Sequence, residues 1–107
     1  MASSKRDKAL LAEITGVARR LARGQQLSGA EQQEAAATLS QVARGRADLL
    51  AESAGLAIGA NEGGRDEARH LQAAQLCIDA GADLSLIPQW VEEGRRRAGT
   101  SPSALRL

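Results

Sequence analysis

The longest amphipathic pattern in the chain runs from Leu27 to Gly59, and it is a helical one. Ala35, Leu39, Val42, Arg46, Leu49, Ser53 and Leu56 follow one another at alternating steps of four and three residues. That spacing holds one stripe of a helix toward a partner. At its head, Ser28 with Glu31 three residues later reads as a capping box, in which each side chain satisfies the other's free backbone N–H. Gly45 falls inside the stripe at a cost of about 1 kcal/mol relative to Ala, yet the phase is the same on both sides of it. The pattern therefore predicts one long central helix over 28–58, and a helix with such a stripe needs other helices against it.

The remaining segments supply them. Leu10, Ile14, Val17 and Leu21 repeat the four-three spacing over 4–23, with Ser3 or Ser4 as cap and Gly24 as stop. A connection as short as 24–27 makes the first two helices antiparallel neighbours. GANEGG, 59–64, is the clearest turn. A third helix over 65–80 turns Ala68, Leu71, Ala74 and Ile78 inward and ends before Gly81. Ser85 can cap a fourth over 85–98, with Pro88 in the first turn, where proline is tolerated. The fold expected is all-α: a small antiparallel bundle of about four helices in one domain, 1–99, followed by a flexible tail, 100–107.

Such a bundle has a thin interior. The hydrophobic share of 43% is largely alanine, Phe and Tyr are absent, and Trp90 is the single aromatic. Few large side chains leave water at about 25 cal/mol per Å², while ordering each residue costs about 1–2 kcal/mol. Ala51, Gly55, Gly59 and Gly63, spaced by four, form a small-residue row against which another backbone can close. A second copy enlarges a thin core, so a homodimer or larger homo-oligomer is expected. Trp90 is expected to anchor the last helix against the other three.

Charge constrains partners less. The net charge of +1 demands no polyanion. Residues 1–27 carry +4, 28–84 carry −5 and 85–107 carry +2, a pattern that suits association between copies as well as nucleic-acid contact. One cysteine, Cys77, excludes an internal disulfide framework and a cysteine-rich metal site. The first residues hold no apolar run of signal-peptide length, and no segment approaches the roughly 20 apolar residues of a membrane span. These readings point to a cytoplasmic protein with no membrane partner.

Four motifs carry chemistry in principle. The glycine-rich turn at 59–64 has neither a strand before it nor a Gly-Lys-Ser/Thr after it, so it is not a phosphate loop. Glu67 and His70 have the Glu-x-x-His spacing of dimetal carboxylate bundles, but such sites need a second copy of the motif, and the chain has one histidine. In Glu92-Glu93-Gly94-Arg95-Arg96-Arg97, pairing at i to i+4 joins Glu92 to Arg96 and Glu93 to Arg97, leaving Arg95 over. The window 73–92 partly resembles a DNA-reading helix-turn-helix, with Cys77, Gly81, Ile87 and Trp90 at its crossing, turn and core positions. That resemblance implies base or phosphate contacts from Gln89, Arg95 and Arg96, with Lys5 and Arg6 reaching phosphates. Pro88, Asp83, Glu92 and Glu93 depart from the pattern.

Catalysis finds little material. His70 and Cys77 are seven residues apart, about 10 Å along one helix, and no carboxylate pair is singled out by its spacing. The reading is therefore a non-catalytic helical interaction or regulatory module without cofactor or metal, binding itself or another protein. Ile87, Trp90 and Val91 form its expected contact surface, with Arg19, Arg20 and Arg23 as a basic rim. A small DNA-binding regulator using residues 65–98 is the alternative.

Overall fold

A computed structural model describes residues 5–22, 27–62 and 68–99. Within them lie five α-helices and no strand: α1 Lys5–Ala22, α2 Gly29–Ala43, α3 Ala47–Glu62, α4 Ala68–Asp79 and α5 Ile87–Gly99, the last entered through a 3₁₀ turn, Leu84–Leu86. The chain is an all-α bundle, as the periodicity predicts. No helix of the described residues is long and apolar enough to cross a membrane. The expected tail 100–107, the Gly24 stop, Gly63, Arg23 and Glu67 lie outside the described residues.

One expectation is corrected at once: the long central helix is two helices. The capping box at its head is present, with the Ser28 N–H donating to Glu31 Oε1 at 2.9 Å and the Glu31 N–H donating to Ser28 Oγ at 3.2 Å. These bonds hold the Glu31 carboxyl below the usual carboxylate range. The helix then stops at Ala43, because Arg44 and Gly45 both take positive φ, 54° and 79°. The Arg44 N–H closes the last turn on Ser40 O and Gln41 O. Glycine adopts this conformation freely, whereas an arginine there costs about 1–2 kcal/mol.

What offsets that cost is visible beyond the turn. Arg46 donates to both carboxylate oxygens of Asp7 at 2.9 and 3.2 Å, and to Asp48 at 3.1 and 3.0 Å. The two carboxylates raise its guanidinium further above its ordinary range, and Arg46 in turn lowers Asp48. One side chain thus ties the first turn of α1 to the start of α3.

Four cross-links set the helix directions. Asp7 meets Arg46, and Thr15 Oγ1 lies 2.9 Å from Ser53 Oγ, so α1 and α3 run in the same sense. The Asp83 N–H donates to Ala47 O at 3.1 Å, placing the end of α4 at the start of α3, and α4 runs against it. Gln32 at the head of α2 donates to Asp79 at the end of α4 at 2.9 Å.

The core is built from α1 to α4. Ile14, Leu39, Leu76 and Cys77 are its largest fully buried side chains, and alanines such as Ala18, Ala22, Ala43, Ala51 and Ala54 fill much of the rest. The predicted stripe keeps its register across the break: Ala35, Leu39, Leu49 and Ser53 are buried, and Val42, Arg46 and Leu56 half-buried. Burial raises the Cys77 thiol to about 11, the Ser53 hydroxyl partly opposing it.

α5 belongs to a different kind of interface. It runs parallel to α3 and packs on it almost exclusively. The contact is made by glycines. A Cβ on Gly55 would run into Trp90 Cβ, one on Gly59 would lie 2.6 Å from the Arg95 N, and one on Gly94 would lie 2.5 Å from Leu56 O. The small-residue row is therefore filled by the chain's own last helix, and Gly59, expected in a turn, is inside α3 instead. Trp90 does not anchor α5 against three helices: its Cβ rests over Gly55, and the residue is half-buried outside the core cluster.

Candidate functional site

Two large apolar side chains of the described residues are exposed, Leu71 on α4, 46%, and Leu84 in the turn before α5. Asp83 Oδ1, rather than Ser85, caps this segment, accepting from the Ser85 N–H at 3.1 Å and the Ser85 hydroxyl at 2.7 Å. Pro88 then falls in the first turn of α5, as expected. The cap fixes Leu84 outward, 64% exposed. Leu84, Ile87 and Val91, at spacings of three and four, run along the flank of α5 beside Trp90, the last three half-buried. Of the contact surface expected from sequence, Ile87 packs against the core, and Trp90 and Val91 are half-buried; Leu84 beside them is a residue that the sequence reading passed over. A leucine between a capping Asp and a Ser was the available signal.

Of the expected basic rim, Arg19 and Arg20 are exposed on the last turns of α1, and Arg23 lies outside the described residues. Arg19 does not border Trp90. It lines a cleft of about 310 Å³ between α1, α3, α4 and the far half of α5, whose walls include Thr15, Ser53, Ala57, Ala73 and Arg97. The hollow follows from the glycine contact: α5 is drawn tightly onto α3, and the alanines facing the gap are too short to fill it. Ser53, 7% exposed, is satisfied there by Thr15. Nearby Glu52 is raised above the usual carboxylate range by burial, with Arg97 opposing the shift.

The acidic-basic run on α5 keeps the expected Glu93–Arg97 pair at i to i+4 but replaces Glu92–Arg96 with pairs at i to i+3. Arg95 donates to Glu92 at 3.1 Å, and Glu93 accepts from both Arg96 and Arg97, the latter at 2.7 Å. Arg95 is not left over. The two arginines hold the Glu93 carboxyl low, and Glu93 holds the Arg96 guanidinium high.

The residues of the helix-turn-helix reading are dispersed. Lys5 and Arg6 sit at the first turn of α1, beside the Arg46 clamp. Arg95 and Arg96 sit in the last turns of α5, which runs in the same sense, so a helix length of about 25 Å separates the two groups. Gln89 is exposed in between. α4 and α5 barely touch, because the inner face of α5 is spent on α3. A helix-turn-helix needs those two helices packed on each other. Glu67 and the His70 side chain are outside the described residues, and Cys77 is buried and protonated at neutral pH.

Comparisons with protein-family models, with curated proteins and with solved structures returned no match.

Proposed function

We propose that the chain is a non-catalytic helical interaction module of the cytoplasm, regulatory in character, which pairs with a second copy through the outward flank of α5. One observation supports this reading: the only aromatic side chain is half-buried on α5, the one described helix with no side chain in the buried core cluster, and the most exposed leucine of the described residues, Leu84, stands in the turn that leads into it. Large apolar groups left uncovered beside one another mark contact surfaces more often than scattered ones do. A net charge of +1 lets two copies approach without mutual repulsion, and a lone buried thiol suits a reducing compartment.

Sedimentation velocity across a concentration series tests the reading. Dimers are expected at high micromolar concentration, and Leu84→Glu, on a side chain already in water, is expected to return the chain to monomers with its helicity unchanged. A native chain that stays monomeric throughout, or a Leu84→Glu variant that dimerises equally well, overturns it. The DNA-binding alternative draws less support, because its basic residues form no continuous face and Arg95 and Arg96 already bind carboxylates.

A further inference from the structure

We propose that the cleft between α1, α3, α4 and α5 binds a small monocarboxylate with an apolar body, such as a short fatty acid or a single-ring acid. The inference is separate from self-association and uses none of the residues on which that reading rests.

Its first support is shape. About 310 Å³ is at the small end of the range for ligand pockets and equals the space of about ten waters, enough for roughly as many heavy atoms. The hollow is built into the packing. Gly94 brings the α5 backbone against Leu56, while Ala57, Ala60, Ala73 and Ala98 give the walls no side chain long enough to close the gap. Apolar walls of this kind gain by covering a hydrocarbon.

Its second support is charge. Arg19 and Arg97 both line the cleft, and among the described residues no acidic one does. Arg97 is committed to Glu93 through its Nε. Arg19 has no carboxylate within ion-pair distance among the described residues. Both arginines lie in the last turns of their helices, where they offset the dipole; what distinguishes this pair is that an apolar hollow lies between them. Polarity is placed sparingly as well. The Thr15 and Ser53 hydroxyls, bonded to each other at 2.9 Å, are the uncharged polar side chains of its wall. A mostly apolar pocket with a few polar groups selects a ligand of matching make-up. A doubly charged phosphate, which would need several donors to replace its water, does not match it.

Titrating the full-length chain with octanoate, and separately with octan-1-ol, while recording backbone amide resonances tests the proposal. Octanoate is expected to give saturable shifts centred on Thr15, Ser53, Ala57 and Ala60, with octan-1-ol binding the same place about fivefold more weakly. Arg19→Gln is expected to weaken octanoate about fivefold and leave octan-1-ol unchanged. Ala60→Leu, at a half-buried position, is expected to abolish both. Absence of saturable shifts, shifts centred elsewhere, or equal binding of acid and alcohol with no effect of Arg19→Gln overturns it.

Discussion

Between α1, α2, α3 and α4 the contacts are made by side chains, with Ile14, Leu39 and Leu76 completely out of water and alanines filling between them. Between α3 and α5 they are made by backbone, with Gly55 and Gly59 on one helix and Gly94 on the other bringing main-chain atoms where a Cβ would collide. The first interface gains from apolar area removed from water. The second gains from many close dispersion contacts, and it carries three helix-interior glycines, each costing about 1 kcal/mol relative to Ala. The comparison shows that a chain poor in large residues can attach a helix firmly without enlarging its core. It also shows the by-product: a helix held by its backbone leaves its large side chains outside and a hollow at its far end.

The contrast can be broken most forcefully at the core. Leu76→Ala removes a fully buried side chain and is expected to cost about 2–5 kcal/mol in chemical denaturation. Every probe, α5 included, should lose stability together. Raising the pH attacks the same region through Cys77. Its thiol ionises near the ordinary value of 9.0 in the unfolded chain and about 11 in the folded one. Between those values the unfolded state releases a proton that the native state keeps, so stability falls as pH rises. The loss should reach about 2–3 kcal/mol at most, and Cys77→Ala should flatten that alkaline limb.

Gly59→Ala aims at the second interface. Overpacking costs about 1–3 kcal/mol and the better helix former returns about 1, for a net loss of about 1–2 kcal/mol. Hydrogen exchange should show it confined to α5 and the facing turns of α3. Equal loss of protection in α1 and α2 would erase the distinction drawn above. Ser28→Ala, which removes the capping bond at the head of α2, should cost about 1 kcal/mol and leave α5 exchange untouched.

Much of the core interface was legible in the sequence, because four-three spacing depends only on helix geometry: Ile14, Leu39 and Leu49 are buried where the stripes place them. The break at Arg44 was not. The positive φ of an arginine leaves no mark in composition, and the clamp that supports the turn joins Asp7 to Arg46 across 39 positions. The small-residue row announced a close helix contact, yet nothing local says which helix fills it. Trp90 misled for a related reason: its Cβ meets a glycine, so the ring has no depth to enter. The pairing of Glu93 with Arg96 as well as Arg97 is a matter of rotamers, which spacing does not decide. The cleft was hidden because it is made by side chains that are absent. Alanines at Ala57, Ala60, Ala73 and Ala98 spell it only after the helices are placed.

Because α5 is fixed along one line of glycines, its two sides answer to different demands. A side chain at Gly55, Gly59 or Gly94 runs into the neighbouring main chain, whereas exposed Leu84 in the turn before α5 can be rewritten with little consequence for folding. A lineage of such chains is free to vary that outer edge quickly while its scaffold stays the same.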